Sequence, residues 1–303
     1  MDMTCVDEVL FSADPDHWRP GDRWLAGGTV LLSYGTDITR GAPMRLLDIT
    51  EAGWEPTIWH ATELEIAATC RIADIFAFTS GSNRPAPHSV LPGLDLFAPC
   101  CDSFVASWKI WNVSTIGGNV ATALPAGPMT SLLAGLDAQA LLIGPGGSRR
   151  RLPVAQLVRG EARTDLGEGE LIRSFHIPLT SLAQRCAFRR ISLTERGRSA
   201  ALLIGRLLEV DRVRITITAS TRRPIIIDLG RATGYDLTPS ALHAAIESAV
   251  AGDWHDDIHG SPRWREAMTH RLGEEILTEL LAADDSTADF RVSGDITMTR
   301  SER

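Results

Sequence analysis

Apolar positions fall into short runs separated by glycine and proline turns, and their spacing divides the chain into units. Met1 to Arg23 is polar and rich in Pro and Asp, with one short apolar group at Val9-Leu10-Phe11, and reads as a lead-in segment. Trp24 to Ala26 predicts a short strand that runs into Gly27-Gly28 and then into a short helix carrying Leu31 and Leu32. Arg45 to Ile49 predicts the next strand. Strand, glycine turn, helix and strand in so short a span make a compact βαβ unit with a parallel strand pair.

A second unit opens with two short strands, Thr57 to His60 and Glu63 to Ala67, followed by a helix over Ile72 to Thr79. Gly81 to Pro92 reads as a loop and Leu94 to Val105 as a buried helix. Further on, Met129 to Leu136 has helical spacing, Gln139 to Ile143 is a strand, and Gly144 to Gly147 is a turn. Arg149 to Arg151 reads as a solvated strand edge, and Glu170 to Pro178 alternates as a strand that closes the unit.

The pattern then changes. Ala187 to Leu193, Ala201 to Leu208, Arg212 to Ala219 and Pro224 to Leu229 predict strands, with Gly205 and Asp211 at turns or bulges. Pro239 to Val250 and Pro262 to Leu281 predict amphipathic helices, each with proline in its first turn and Thr238 or Ser261 before it. Strands followed by helices give an α+β unit with helices on one sheet face. Residues after Ala282 are polar and unpatterned and read as a mobile tail.

Between these units lies the stretch that organises the chain, Lys109 to Pro128, with adjacent Gly117 and Gly118 between Thr115 and Asn119. Glycine lets backbone approach a ligand closely, so successive N–H groups can converge on an anion. The apolar run from Met129 suggests that the loop feeds a helix whose N-terminus adds partial positive charge. With Gly27-Gly28 and Thr29 there are two such turns, and the two linked phosphates of a pyrophosphate need donors from two directions. An ordinary Rossmann unit is rejected, because the third glycine of its fingerprint is missing.

Composition narrows the picture. At 303 residues and 44% hydrophobic, the chain has room for two or three packed domains. No apolar run reaches the length of a membrane span, and Met1 to Asp7 lacks the basic start of a secretory signal. A formal net charge of −8 argues against general nucleic-acid binding. The five cysteines, Cys5, Cys70, Cys100, Cys101 and Cys186, contain no Cys-x-x-Cys pair. They read as reduced cytosolic thiols, which excludes zinc or an iron–sulfur cluster held by them in this chain alone.

Ala26-Gly27-Gly28-Thr29, followed by Thr115-Ile116-Gly117-Gly118-Asn119, Thr122-Ala123 and Pro125-Ala126, resembles the FAD-binding subunit of the molybdenum hydroxylase family. That family includes the medium subunits of carbon monoxide and nicotine dehydrogenases and the flavin domain of xanthine dehydrogenase. The resemblance covers roughly Trp24 to Leu281, and Asp257-x-His259-x-Ser261-x-x-Trp264-Arg265 resembles a helix opening in the family's C-terminal domain. It implies an α+β fold: an FAD cradle of the vanillyl-alcohol-oxidase type with two α/β subdomains, then an α+β domain with an antiparallel sheet. The divisions fall at 1–55, 56–182 and 183–285, with 286–303 as tail.

By the same resemblance, Leu25, Ala26, Gly27, Gly28, Thr29, Val30 and Leu31 would give backbone N–H groups to the pyrophosphate. Thr115, Ile116, Gly117, Gly118 and Asn119 would contact pyrophosphate and ribityl from the other side. Thr122 and Ala123 would lie further along the flavin, and Ile172 near the adenine or ring system. Val30, Trp111, Leu124 and Pro128 depart from the residues common in the family, which bears on contacts to the flavin ring rather than on the grip of the pyrophosphate.

No catalytic residue is assigned, since the cofactor carries the chemistry, and no metal ligand. His60, His88, His176, His255, His259 and His270 are scattered, with no acidic partner at catalytic spacing, and read as surface or satisfied core residues. Lys109 and Trp111 read as packing; Arg189 and Arg190, and with the same ambiguity Arg196 and Arg198, either meet an FAD phosphate or face solvent or an interface, the second being the reading taken. The resemblance implies an electron-transfer subunit of a cytoplasmic heteromeric complex. A large molybdopterin subunit would oxidise substrate, a small subunit would relay electrons through two 2Fe-2S clusters, and FAD here would pass them to an external acceptor. The alternatives are a free-standing flavin dehydrogenase or oxidase, which needs a substrate-facing acid or base, and a flavin-poor scaffold subunit.

Overall fold

The computed structural model describes residues 6–33, 43, 45–79 and 90–282. Cys5, His88, most of the loop at 81–92 and the tail at 286–303 lie outside the described residues.

The lead-in is more ordered than its polarity suggests. β1 (Glu8–Phe11), β2 (Arg23–Leu25) and β3 (Arg45–Asp48) form one sheet in the order β1-β3-β2. Both ladders are parallel, pairing Glu8 to Phe11 with Arg45 to Asp48 and Arg23 to Leu25 with Leu46 to Asp48. The central strand buries Leu46 and Leu47, whereas β1 stays largely exposed, which hides it from a hydrophobic pattern. Arg45 is buried on this sheet and donates through Nη2 to Asp22 Oδ2 at 2.6 Å, so its charge is matched and the turn before β2 is fixed. The expected short helix at Leu31 and Leu32 is a succession of turns, with Leu32 N–H donating to Gly28 O.

The second unit is β4 (Thr57–Trp59), β5 (Glu63–Ala67), α1 (Ile72–Thr79), α2 (Phe97–Asp102), α3 (Trp108–Trp111), α4 (Ile116–Thr122), α5 (Pro128–Gly135), β6 (Gln139–Gly144), β7 (Ser148–Pro153), α6 (Val154–Leu157), β8 (Val158–Gly160), β9 (Arg163–Thr164), β10 (Leu171–Pro178) and α7 (Leu179–Leu182). Its sheet is antiparallel in the order β4-β5-β10-β6-β7, so β10 lies at the centre rather than closing the edge. The expected helix over Leu94 to Val105 is divided into a 3-10 turn, Pro92–Leu96, and α2. Where a loop is expected at Thr115 to Asn119, α4 already begins at Ile116 and ends at Thr122, before α5 takes up the apolar run from Met129.

The third unit is an antiparallel meander, β11 (Cys186–Ile191), β12 (Ala201–Glu209), β13 (Arg212–Thr218) and β14 (Ile225–Gly230), followed by α8 (Pro239–Val250) and α9 (Pro262–Leu281). Alternation along β12 serves two cores. Leu203 faces α8 and α9, while Leu202 and Ile204 join the core of the second unit. Gly205 stands inside β12, not at a turn: a Cβ there would meet Leu280 Cδ1 at 3.0 Å and Ile276 still closer, so glycine is what lets α9 lie on the strand. Across the sheet, Ser131 of α5 and Thr218 of β13 are joined at 2.7 Å, and Arg206 and Arg214 both pair with Asp137.

Candidate functional site

The first glycine turn is shaped by its neighbours. Gly28 has φ +66°, in the left-handed region that favours glycine. Gly27 lies against the backbone of Val113 and Ser114, and a Cβ on it would come within 2.7 Å of Val113 C and closer still to its carbonyl oxygen. The two motifs are therefore in direct contact, and Thr29 Oγ1 lies 3.1 Å from Ser114 Oγ. Among the described residues, none of the N–H groups of residues 27–31 donates to a protein acceptor. A row of open amides on a turn with positive φ suits an anion.

The second turn is organised differently. Ile116 N–H donates to Cys70 O, Gly117 N–H to Ala68 O and Asn119 N–H to Thr115 O, while Thr115 Oγ1 caps the Gly118 N–H at 3.0 Å. Its amides are thus spent inside the protein. Gly117 is needed because a Cβ would stand 2.6 Å from Ala68 Cβ. Asn119 Oδ1 accepts from Met129 N–H at 3.1 Å and so anchors the start of α5. The turn offers side chains and surface, and the first turn offers the amides.

Between them opens a cleft of about 910 Å³. It is lined by Ala26, Gly27, Gly28, Thr29, Val30 and Leu31 from the first turn and by Thr115, Gly117, Gly118, Asn119 and Thr122 from α4 and its cap. Leu124, Pro128 and Ile172 also line it. Leu25, Ile116 and Ala123 do not: the Leu25 carbonyl accepts from Ile49 N–H, and Ile116 and Ala123 are fully buried beneath the cleft. Ala123 ends α4 in the left-handed region at φ 51°.

Arg23 and Ser114, which sequence reasoning did not single out, also line the cleft, as do His259, read there as a surface or core residue, and Arg198, read as facing solvent or an interface. Ser114 precedes its motif, and Arg198 stands on a loop of the third unit that no periodicity marks. Arg198 is exposed and has no described partner, so a cation of the third unit faces the cleft. Glu170 at the rim is bound by Arg150, at 2.7 Å from Nη2, which with the Gly167 N–H holds its carboxyl below the usual range against the upward push of burial.

The C-terminal motif is a brace. Arg265 is buried and donates to the Gly260, Ala200 and Ala219 carbonyls and to Asp257. Burial pushes the Asp257 carboxyl up, but the His259 N–H, Arg265 and His255 outweigh it and hold it low. The motif so presents His259 at the cleft.

Several histidines do have acidic partners, contrary to expectation: the fold brings His176 to Glu63 and His270 to Glu247, and local turns set His60 and His255 against near neighbours. His60 meets Glu65 at 2.9 Å, His176 meets Glu63 at 2.8 Å, His255 meets Asp257 at 3.2 Å and His270 meets Glu247 at 2.8 Å. Ser174, His176 and Glu63 form a relay-like row, but Ser174 is wholly buried and no substrate reaches it. Arg189 pairs with Glu275 and Glu279, and Arg190 with Ser199 and the Gly197 carbonyl. Trp111 packs against Phe76 and Trp108. Burial pushes the Cys70, Cys101 and Cys186 thiols up to about 12. No helix among the described residues is long and apolar enough to cross a membrane.

Residues 9–180 match the family described as the FAD binding domain in molybdopterin dehydrogenase. No curated protein matches the chain. Among solved structures it is similar to a chain of carbon monoxide dehydrogenase from Hydrogenophaga pseudoflava, with TM-score 0.73 and 21% identity over 91% of this chain and 97% of that one. A chain of reconstituted CO dehydrogenase from Oligotropha carboxidovorans gives TM-score 0.73 and 21% identity over 91% and 98%. A chain of quinoline 2-oxidoreductase from Pseudomonas putida 86 gives TM-score 0.68 and 22% identity over 90% and 97%.

Proposed function

The chain belongs to the family of FAD binding domains of molybdopterin dehydrogenases, and from that premise we propose that it is the electron-transfer subunit of a molybdenum hydroxylase. FAD in the cleft would take electrons from 2Fe-2S clusters on a small partner and yield them to an external acceptor. A large partner carrying molybdopterin would oxidise the substrate, the complex being cytoplasmic. The three larger sheets would then divide the chain at 1–55, 56–182 and 183–285, as a cradle of the vanillyl-alcohol-oxidase type followed by a third domain.

The observation that carries this reading is the row of amides at residues 27–31 that donate to no acceptor among the described residues, at a cleft of about 910 Å³. Those amides would hold the pyrophosphate without giving up a hydrogen bond to any described residue. Thr115, Gly117, Gly118, Asn119 and Thr122 would form the opposite wall, fixed by the cap and the Asn119 anchor before any ligand arrives. Ile172 and Leu124 would shield the ligand's apolar parts from water. No acid or base of the chain is needed, because the cofactor supplies the electron chemistry. Trp108, Val105 and Val113, exposed on the segments around α3, supply apolar surface of the kind a partner covers.

The test is the visible spectrum of the purified chain with identification of the flavin released by acid, followed by analysis of what co-purifies. One FAD per chain together with molybdopterin and iron–sulfur subunits supports the proposal. FAD with no such partners favours a free-standing flavin enzyme. A colourless chain that takes up no added FAD favours a scaffold.

A further inference from the structure

α8 and α9 pack alongside each other, and their seam carries donors spaced one helical turn apart: His243 and Glu247 on α8, Glu266, His270 and Glu274 on α9. Residues four apart share a helix face, so each helix presents its donors as a row. His270 Nε2 lies 2.8 Å from Glu247 Oε1, and His243 Nε2 lies 2.7 Å from Glu274 Oε1. The two imidazoles meet edge to face with ring centres 4.3 Å apart. One ligand atom each from Glu247, Glu266 and His270 lies within 4.8 Å of the others.

Two features of this seam call for a cation. Three carboxylates gather on it, and among the described residues no Arg or Lys is paired with any of them. In addition, His270 Nδ1 is buried with no hydrogen-bond partner among the described residues, an unfavourable state for a polar ring atom. We propose that the α8–α9 seam is a binding site for a divalent ion of the zinc class, held by Glu247, Glu266 and His270 with His243 and Glu274 as flanking donors. Mixed imidazole and carboxylate ligands favour zinc over magnesium or calcium, which prefer all-oxygen sets. The ion fastens the last two helices across the sheet of the third unit. The half-exposed side chain of Glu247 supplies the movement needed to close on it. The proposal is independent of the flavin reading. It also differs from the cysteine-based zinc site that the sequence excludes, because the donors here are His and Glu.

The experiment is zinc titration of the chelator-treated chain, read by competition with a chromophoric chelator and by the melting temperature. The expected result is one zinc per chain with a rise in melting temperature, and at least about a tenfold loss of affinity in His270→Asn and in Glu266→Gln. FAD content stays the same in both variants. Cys70, Cys100, Cys101 and Cys186 do not confuse the count, since burial holds them as thiols, and Cys5→Ser serves as the background for the titration. If His270→Asn fails to fold, Glu266→Gln carries the comparison alone. Absence of competition in the parent chain, undiminished affinity in a folded variant, or magnesium binding as tight as zinc would overturn the proposal.

Discussion

Thr29 Oγ1 and Ser114 Oγ stand 3.1 Å apart, so a single hydrogen bond joins the two glycine turns across the floor of the cleft. Thr29→Val keeps the shape and removes the hydroxyl. The expected cost is about 1 kcal/mol, or about a fivefold weaker hold on FAD, measured by flavin titration of the stripped protein. An unchanged affinity would mean that the turns keep their spacing without this bond.

Gly27→Ala drives a methyl group into the Val113 carbonyl, and only backbone can give way. We expect a loss of about 3 kcal/mol of stability and purification without bound flavin. Gly53→Ala is the informative control, since its surroundings are open and only its own φ of +64°, a strain that Gly27 does not share, opposes the methyl group. A Gly27→Ala protein that holds one FAD would show that the two turns need not touch.

Arg265→Met removes four hydrogen-bonding contacts from a buried guanidinium and leaves Asp257 without its cation. Breaking a buried pair on one side costs about 3–5 kcal/mol, which a denaturant titration would report. If stability hardly changes, the C-terminal motif acts on the cleft rather than as a brace.

The elements that could be read from the chain are those whose signal is local. The bounds of α1, α8 and α9 follow from apolar spacing and, for the last two, from a proline placed after Thr238 or Ser261. The hidden elements depend on distant partners. β1 is a strand because Arg45 to Asp48 offers it a ladder, not because its own sequence alternates. α4 contains two glycines in its first turn, which argues for a loop until Ala68 and Cys70 are seen to accept its first amides. The cleft was legible in its two turns. That only one of them leaves amides open was not, since the acceptors that occupy the other lie far away in sequence.

Asp228 gives a pH prediction. Burial pushes its carboxyl up, but hydrogen bonds from Arg214 and Arg212 outweigh this and hold it below its ordinary 3.8. A carboxyl lowered by folding contributes stability that is present above the unfolded value and is lost as pH falls through the folded one. The melting temperature should therefore decline as pH drops below about 4, and Asp228→Asn should start lower and decline less. Parallel declines in the two proteins would assign the acid sensitivity to other carboxylates.

The first sheet has three strands, and its central strand alone is deeply buried. With strands of 4, 3 and 4 residues it buries little apolar area of its own. Its persistence therefore rests on what it leans against, and one of those surfaces is the flavin cleft. Segments of this kind open before the whole molecule does, at a frequency that any ligand bound to the closed form lowers. Amide exchange at Leu46 and Leu47 should slow as flavin is added, while exchange in β12 and β13 stays constant. The amino-terminal strands would then report cofactor occupancy, and a chain emptied of flavin would first become accessible to proteases at this end.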